Sequence, residues 1–159
     1  MGKQVSVGIA DMKIARQSGT LITYALGSCI GITFYDPMIK LGALLHIMLP
    51  EAGANNANPL KFADTGIQET LRKFAVFGGR KERVICKIAG GAKMFEMKGQ
   101  SGFGNIGDRN IQSVKNILRQ EGIRIRGEDT GANYARTMIL DLESGEVRIR
   151  TVGKPERMI

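Results

Sequence analysis

The chain reads as an α+β protein in which two helices cover one side of a strand layer. Three observations support this reading. Short runs rich in β-branched residues recur along the chain, separated by turn residues. Two longer segments repeat apolar residues at helical spacing. With 159 residues, 43% hydrophobic and 24% charged, the composition is that of a soluble globular chain long enough to bury a core. One domain over residues 1–159 is expected.

Eight runs read as strands: QVSVGIA (4–10), TLITYAL (20–26), CIGITFYD (29–36), KLGALLHIML (40–49), RVICKIAGG (83–91), GIRIRGED (122–129), RTMILDL (136–142) and EVRIRTV (146–152). Asp36-Pro37 and Ser144-Gly145 are turn signals and suggest two hairpins. The first helix is expected in ADTGIQETLRKFAVFGG (63–79), with Ile67, Leu71 and Phe74 as its apolar stripe despite Gly66. The second is expected in NIQSVKNILRQEG (110–122), where Ile111, Val114, Ile117 and Leu118 share a face. Asp108 or Asn110 could cap its start, and Gly122 can end it in a left-handed conformation. Between the fourth strand and the first helix, PEAGANNANPLKF is rich in Asn, Pro and Gly and reads as a surface loop.

Composition also restricts function. No apolar run approaches the roughly 20 residues that span a bilayer, so no membrane insertion is expected. The amino-terminal segment lacks the long apolar stretch of a secretory signal. Two cysteines are too few for a disulfide framework and point to a reducing, cytoplasmic setting. With one histidine and two cysteines, a structural zinc site is not expected either. The net charge of +8 favours acidic partners. Yet the basic residues are scattered, GGRKER (78–83) being one of the densest groups. Aromatics are only 6%, without the interleaving that stacks bases, so nucleic acid is not the expected partner.

The residues that could carry chemistry are few. Cys29 follows Gly27 and Ser28 at a turn into a strand, and the only histidine, His46, lies on the next strand. A thiol attacks as thiolate, which an imidazole can generate if a third group orients that imidazole. A hairpin centred near residue 38 makes paired numbers sum to about 76, which sets His46 opposite Ile30 and beside Cys29. A slip of one residue would exchange faces. Gly27 permits close backbone approach, and the N–H groups near Ser28 and Cys29 could hold an oxyanion. Thr23 and Ser28 are hydroxyls that could accept the second imidazole N–H. Each residue also has a plain structural reading: Cys29 as a small buried hydrophobe, His46 as a satisfied core histidine. Cys86, mid-strand, reads as core. IAGGAKMF (88–95) lacks the spacing of a phosphate loop and reads as a tight turn packed against the active face. GQSGFGNIGDRN (99–110) reads as a loop offering Phe103 to a partner protein.

Taken in order, GSCIGITFYD, GALLHIMLP, KFADTGIQETL, KIAGGAKMF, NIGDRN and GEDTGANYAR resemble the chemoreceptor glutamine deamidase family, CheD, over about residues 5–153. The resemblance implies an α/β/β sandwich of mixed strand layers, with Cys29 as nucleophile, His46 as general base and Thr23 as the residue that orients it. It implies a cytoplasmic hydrolase of chemotaxis that needs no metal or organic cofactor. Its substrates would be glutamines on the cytoplasmic helices of chemoreceptors, and a CheC-type phosphatase would be a second partner. The competing reading is a regulatory binding module without catalysis. Ala132 stands where the family pattern has a second glycine, and the loop around Phe103 is longer than in some members.

Overall fold

The computed structural model describes residues 2–54, 57–94 and 105–159. Its elements in chain order are β1 (Gln4–Ser6), β2 (Asp11–Arg16), β3 (Thr20–Leu26), β4 (Ile30–Asp36), β5 (Leu41–Ile47), α1 (Ala63–Val76), β6 (Ile85–Gly90), α2 (Ile106–Gln120), β7 (Ile125–Thr130), β8 (Arg136–Asp141), β9 (Val147–Thr151) and β10 (Lys154–Met158). They form two sheets of five strands, in the orders β1-β3-β8-β9-β10 and β2-β5-β4-β6-β7. β1 with β3 and β6 with β7 pair in parallel, the remaining neighbours antiparallel. Both sheets are therefore mixed.

The second sheet is the middle layer. Every residue of β4 and β5 is buried, the mark of strands covered on both faces. Ile30, Ile32 and Phe34 alternate onto one face, joined by Ala43, Leu45 and Ile47, and pack against Ile67 and Phe74 of α1 and Val114 and Leu118 of α2. Tyr35 and Leu44 point the other way, to Leu21, Met138, Leu140 and Ile149 of the first sheet. Helices, sheet and sheet thus stack as an α/β/β sandwich, as expected. Both helices lie on the same side.

Both anticipated hairpins form, β4–β5 around Asp36-Pro37 and β8–β9 around Ser144-Gly145. The Asp36 carboxylate is fully buried. It accepts from the backbone N–H groups of Met38 (3.1 Å) and Arg80 (3.1 Å) and pairs with the Arg83 guanidinium at 2.7 Å. Part of the dense basic run 78–83 is thus tied to this turn.

Several expectations need correction. The run 4–10 is not one strand: β1 ends at Ser6, the chain turns at Ala10 (φ 57°), and β2 follows. β2 passed unnoticed because it is a polar edge strand in which only Met12 is buried. β10 lacks a strand pattern because Pro155 and three charged neighbours, Lys154, Glu156 and Arg157, form an exposed edge strand, where proline is tolerated. α2 starts at Ile106 rather than 110, and neither Asp108 nor Asn110 caps it. Asn105 does, accepting from Asp108 N–H at 2.9 Å. Gly122, with φ 74°, follows the helix as anticipated.

Ala132 holds φ 59°, a left-handed conformation that penalises any Cβ. This explains why a glycine was expected there. Ala132→Gly is predicted to stabilise the protein by about 0.5–1 kcal/mol, the relief of strain outweighing the added freedom of the unfolded chain. Urea unfolding of the two proteins would measure it.

Candidate active site

Strand alternation decides which side chains can meet. Along β5, Leu41, Ala43, Leu45 and Ile47 face the helices, so Gly42, Leu44 and His46 face the first sheet. The observed register pairs His46 with Gly31, not Ile30; paired numbers sum to 77. The shift of one residue has a large consequence. Cross-strand partners share a face, and so do residues two apart. His46, Gly31 and Cys29 therefore all point between the sheets, whereas the expected register would have turned His46 onto the helix side. The turn Asp36–Lys40 sets this register, with Lys40 in a left-handed conformation (φ 50°).

Gly31 lets side chains of the facing sheet approach closely. A Cβ on it would lie 2.8 Å from Met138 Sδ and 3.5 Å from Thr23 Cγ2. Thr23 enters from β3 of the facing sheet, fully buried. Just after it the β3–β8 pairing shifts register, and Ala25 takes φ 56°. Such a bulge redirects the chain. Here it carries the backbone from the first sheet through Gly27 and Ser28 to Cys29 and into the second sheet.

Thr23 Oγ1 lies 2.7 Å from His46 Nδ1 and donates its one proton to Val7 O at 2.8 Å. A hydroxyl has a single hydrogen. It must therefore accept from His46, so Nδ1 carries the proton and neutral His46 presents a bare lone pair at Nε2. Thr23, not Ser28, is the hydroxyl that meets the ring. Nε2 is buried and has no hydrogen-bond partner among the described residues. Cys29 is half-buried, packed at the margin of the inter-sheet core, with a free thiol that is not hydrogen-bonded to the ring.

Burial governs both ionisations. It pushes the Cys29 thiol above its ordinary value, against the smaller opposing effect of the residue's own N–H. Burial lowers His46 from 6.5 to about 4, opposed by the charge of Asp11, its cross-strand neighbour on β2. The resting pair is thiol and neutral imidazole. A histidine whose folded value is depressed contributes full stability above its unfolded value. That contribution is lost as pH falls from 6.5 toward about 4. The predicted loss attributable to His46 is about 3 kcal/mol. Urea unfolding of parent and His46→Asn across this range would isolate it.

The turn before β4 is held from behind. Gly27 O accepts from Ala92 N (2.8 Å), Ser28 O from Asn110 Nδ2 (2.9 Å) and Cys29 O from Gly91 N (2.9 Å). The N–H groups of Ser28 and Cys29 donate to no carbonyl among the described residues. A trans peptide points its C=O and N–H in opposite directions. Anchoring these carbonyls inside thus turns the N–H groups outward. The glycine pair at 90–91 makes this possible: a Cβ on Gly90 would fall 2.1 Å from Cys29 O, and Gly90 and Gly91 hold φ 112° and 70°. The pair is the tight turn packed against this face that its sequence suggests. Met94 lies over Gly27, whose Cβ would approach it to 3.2 Å.

The structure thus brings Thr23, His46, Cys29, Ser28 and Gly27 into one region, and Cys86 into the helix-side core, where burial pushes its thiol far up. Phe103 lies outside the described residues. Sequence reasoning missed Asp11, hidden in an unrecognised strand, and Asn110, taken for a cap. The available signal was Asn110 and Ser113, polar residues three apart on the same face as Val114.

Fold and site together define an α/β/β sandwich protein that groups a cysteine, a histidine and a threonine between its sheets. A family model described as CheD chemotactic sensory transduction matches residues 48–151. The chain is 47% identical over its full length to the full length of a probable chemoreceptor glutamine deamidase CheD of Syntrophomonas wolfei. It is 48% identical to proteins of the same name from Desulforamulus reducens (98% of this chain, 95% of that one) and Clostridium novyi (98% of each). The chain belongs to the CheD family. No helix among the described residues is long and apolar enough to cross a membrane.

Proposed function

We propose that this protein hydrolyses specific glutamine side chains of chemoreceptors to glutamate, with Cys29 as nucleophile, His46 as general base and acid, and Thr23 as its orienting partner. The observation that carries the reading is the buried Thr23–His46 hydrogen bond, which leaves Nε2 as a lone pair on the face that Cys29 shares. The full-length relatives named as chemoreceptor glutamine deamidases supply the substrate class.

In the proposed sequence, Nε2 takes the thiol proton as sulfur attacks the glutamine Cδ. The C–S bond forms and the carbonyl π-electrons move to oxygen, where the outward N–H groups of Ser28 and Cys29 stabilise the oxyanion. The Nε2 proton passes to the amide nitrogen, the C–N bond breaks and ammonia leaves. Water then attacks the thioester, giving one proton to Nε2. The C–S bond breaks, and that proton returns to the sulfur. Glutamine and water become glutamate and ammonia, and no external redox partner is needed. The Asp11 charge and the Thr23 acceptor support the transient imidazolium.

Incubation with a chemoreceptor cytoplasmic fragment, followed by peptide mass spectrometry and ammonia measurement, tests the reading. Amide-to-acid mass changes at defined glutamines with equimolar ammonia are expected; an unmodified fragment would overturn it. One observation favours the binding-module alternative: burial keeps both thiol and imidazole neutral at rest. Binding of a CheC-type phosphatase, in the cytoplasm, is the corresponding second role, and co-purification with such a phosphatase would test it.

A further inference from the structure

We propose that Asn110 of α2 is a positioning residue for the reaction, holding the Cys29 turn and the end of the His46 strand in one relative placement. The proposal rests on the Cys29 reading above. Asn110 is fully buried in the second turn of the helix. Its amide nitrogen donates to Ser28 O and to Met48 O, both at 2.9 Å. Both partners are carbonyls, so only the nitrogen can face them, and the amide orientation is determined. One residue after Ser28 comes the thiol; two residues before Met48 comes the imidazole. A single side chain therefore bridges the two segments.

The bridge acts on a particular group. Ser28 O and the Cys29 N–H belong to one planar peptide. Fixing the oxygen fixes the direction of the N–H that would receive the oxyanion. A hydrogen bond to the carbonyl also polarises that N–H. The helix is brought close enough by Gly107, where a Cβ would lie 2.4 Å from Ala92 O. Oδ1 of Asn110 has no partner among the described residues. An unsatisfied buried acceptor is costly, and the two bonds donated by Nδ2 offset that cost, since an apolar side chain would leave Ser28 O and Met48 O without this donor. The polar group sits where its donors meet the segments that carry Cys29 and His46. Ser113, one turn on, donates to Pro50 O at 2.8 Å. It secures the same exit from β5 but does not touch the Cys29 turn, and so provides a control.

Two probes separate positioning from folding. Ammonia release from the receptor fragment requires the oxyanion to be stabilised. Alkylation of Cys29 by iodoacetamide requires only the thiol and His46, because displacement of iodide forms no oxyanion. Cys86 is fully buried and does not compete. Asn110→Ala is expected to lower kcat about 100-fold, with KM within about threefold of the parent. The alkylation rate and its pH profile should be preserved. Asn110→Asp keeps the volume but swaps donors for acceptors, and should show the same pattern if the alanine variant folds poorly. Ser113→Ala should keep kcat. Unchanged kcat in both Asn110 variants, or parallel loss of alkylation and kcat, would overturn the proposal. Ammonia release that persists in Cys29→Ala would instead overturn the Cys29 reading itself, and the positioning role with it.

Discussion

Cys29→Ala is expected to reduce ammonia release from receptor fragments by about 10³-fold or more, because in the proposed mechanism the Cys29 sulfur forms the acyl intermediate. Cys86 cannot substitute: it is fully buried on the helix side of the middle sheet. The fold should survive. Cys29 is half-buried at the margin of the inter-sheet core, and the carbonyls that shape its turn are anchored by backbone and Asn110 donors that the substitution leaves alone. Thermal unfolding should therefore shift little. Full activity in this variant would exclude Cys29 as the nucleophile. A binding-only protein would also keep its effect on a phosphatase partner after this change, so the two readings part on one variant.

Thr23→Val should cost about 10³-fold in kcat by acting on the imidazole alone. Valine nearly matches threonine in shape but offers no acceptor. The buried Nδ1–H would then lose its partner, and nothing would hold the proton off Nε2, the atom that must receive the thiol proton. Val7 O loses its donor at the same time. Together these unsatisfied groups predict a stability loss of about 1–3 kcal/mol. Thr23→Ser retains the hydroxyl and should recover most of the rate. The pH profile supplies a second check. With His46 lowered to about 4 and the thiol raised, kcat/KM of the parent should hold well below pH 6.5 before its acid limb. In Thr23→Val that limb should move lower still, since the imidazolium loses its acceptor. A Thr23→Val enzyme with parental kcat would remove Thr23 from the mechanism.

Much of this molecule is legible in one dimension. Alternation and β-branching mark the long buried strands, and Asp36-Pro37 and Ser144-Gly145 mark their hairpins. The scarcity of reactive side chains singles out Cys29 and His46, with Thr23 added by family resemblance. These features are local: each depends on residue type and a neighbour a few positions away. The edge strands Asp11–Arg16 and Lys154–Met158 lack that local mark, because a solvated edge is stabilised by pairing with a distant segment and tolerates lysine, glutamate and proline.

What the linear pattern left open was settled by contacts between distant segments. The face that His46 occupies depends on a single residue of register, set by the conformation of the Asp36–Lys40 turn. The hydrogen-bonding of the ring depends on Thr23 of the opposite sheet and on Val7 just beyond β1. Asn110, separated from Ser28 and Met48 by 82 and 62 positions, looks like a cap in the sequence and becomes a bridge only when α2 packs onto the strand ends. Side-chain type can name a nucleophile and a base. Which lone pair faces which proton is decided by hydrogen-bond donors and acceptors that the chain brings together only on folding.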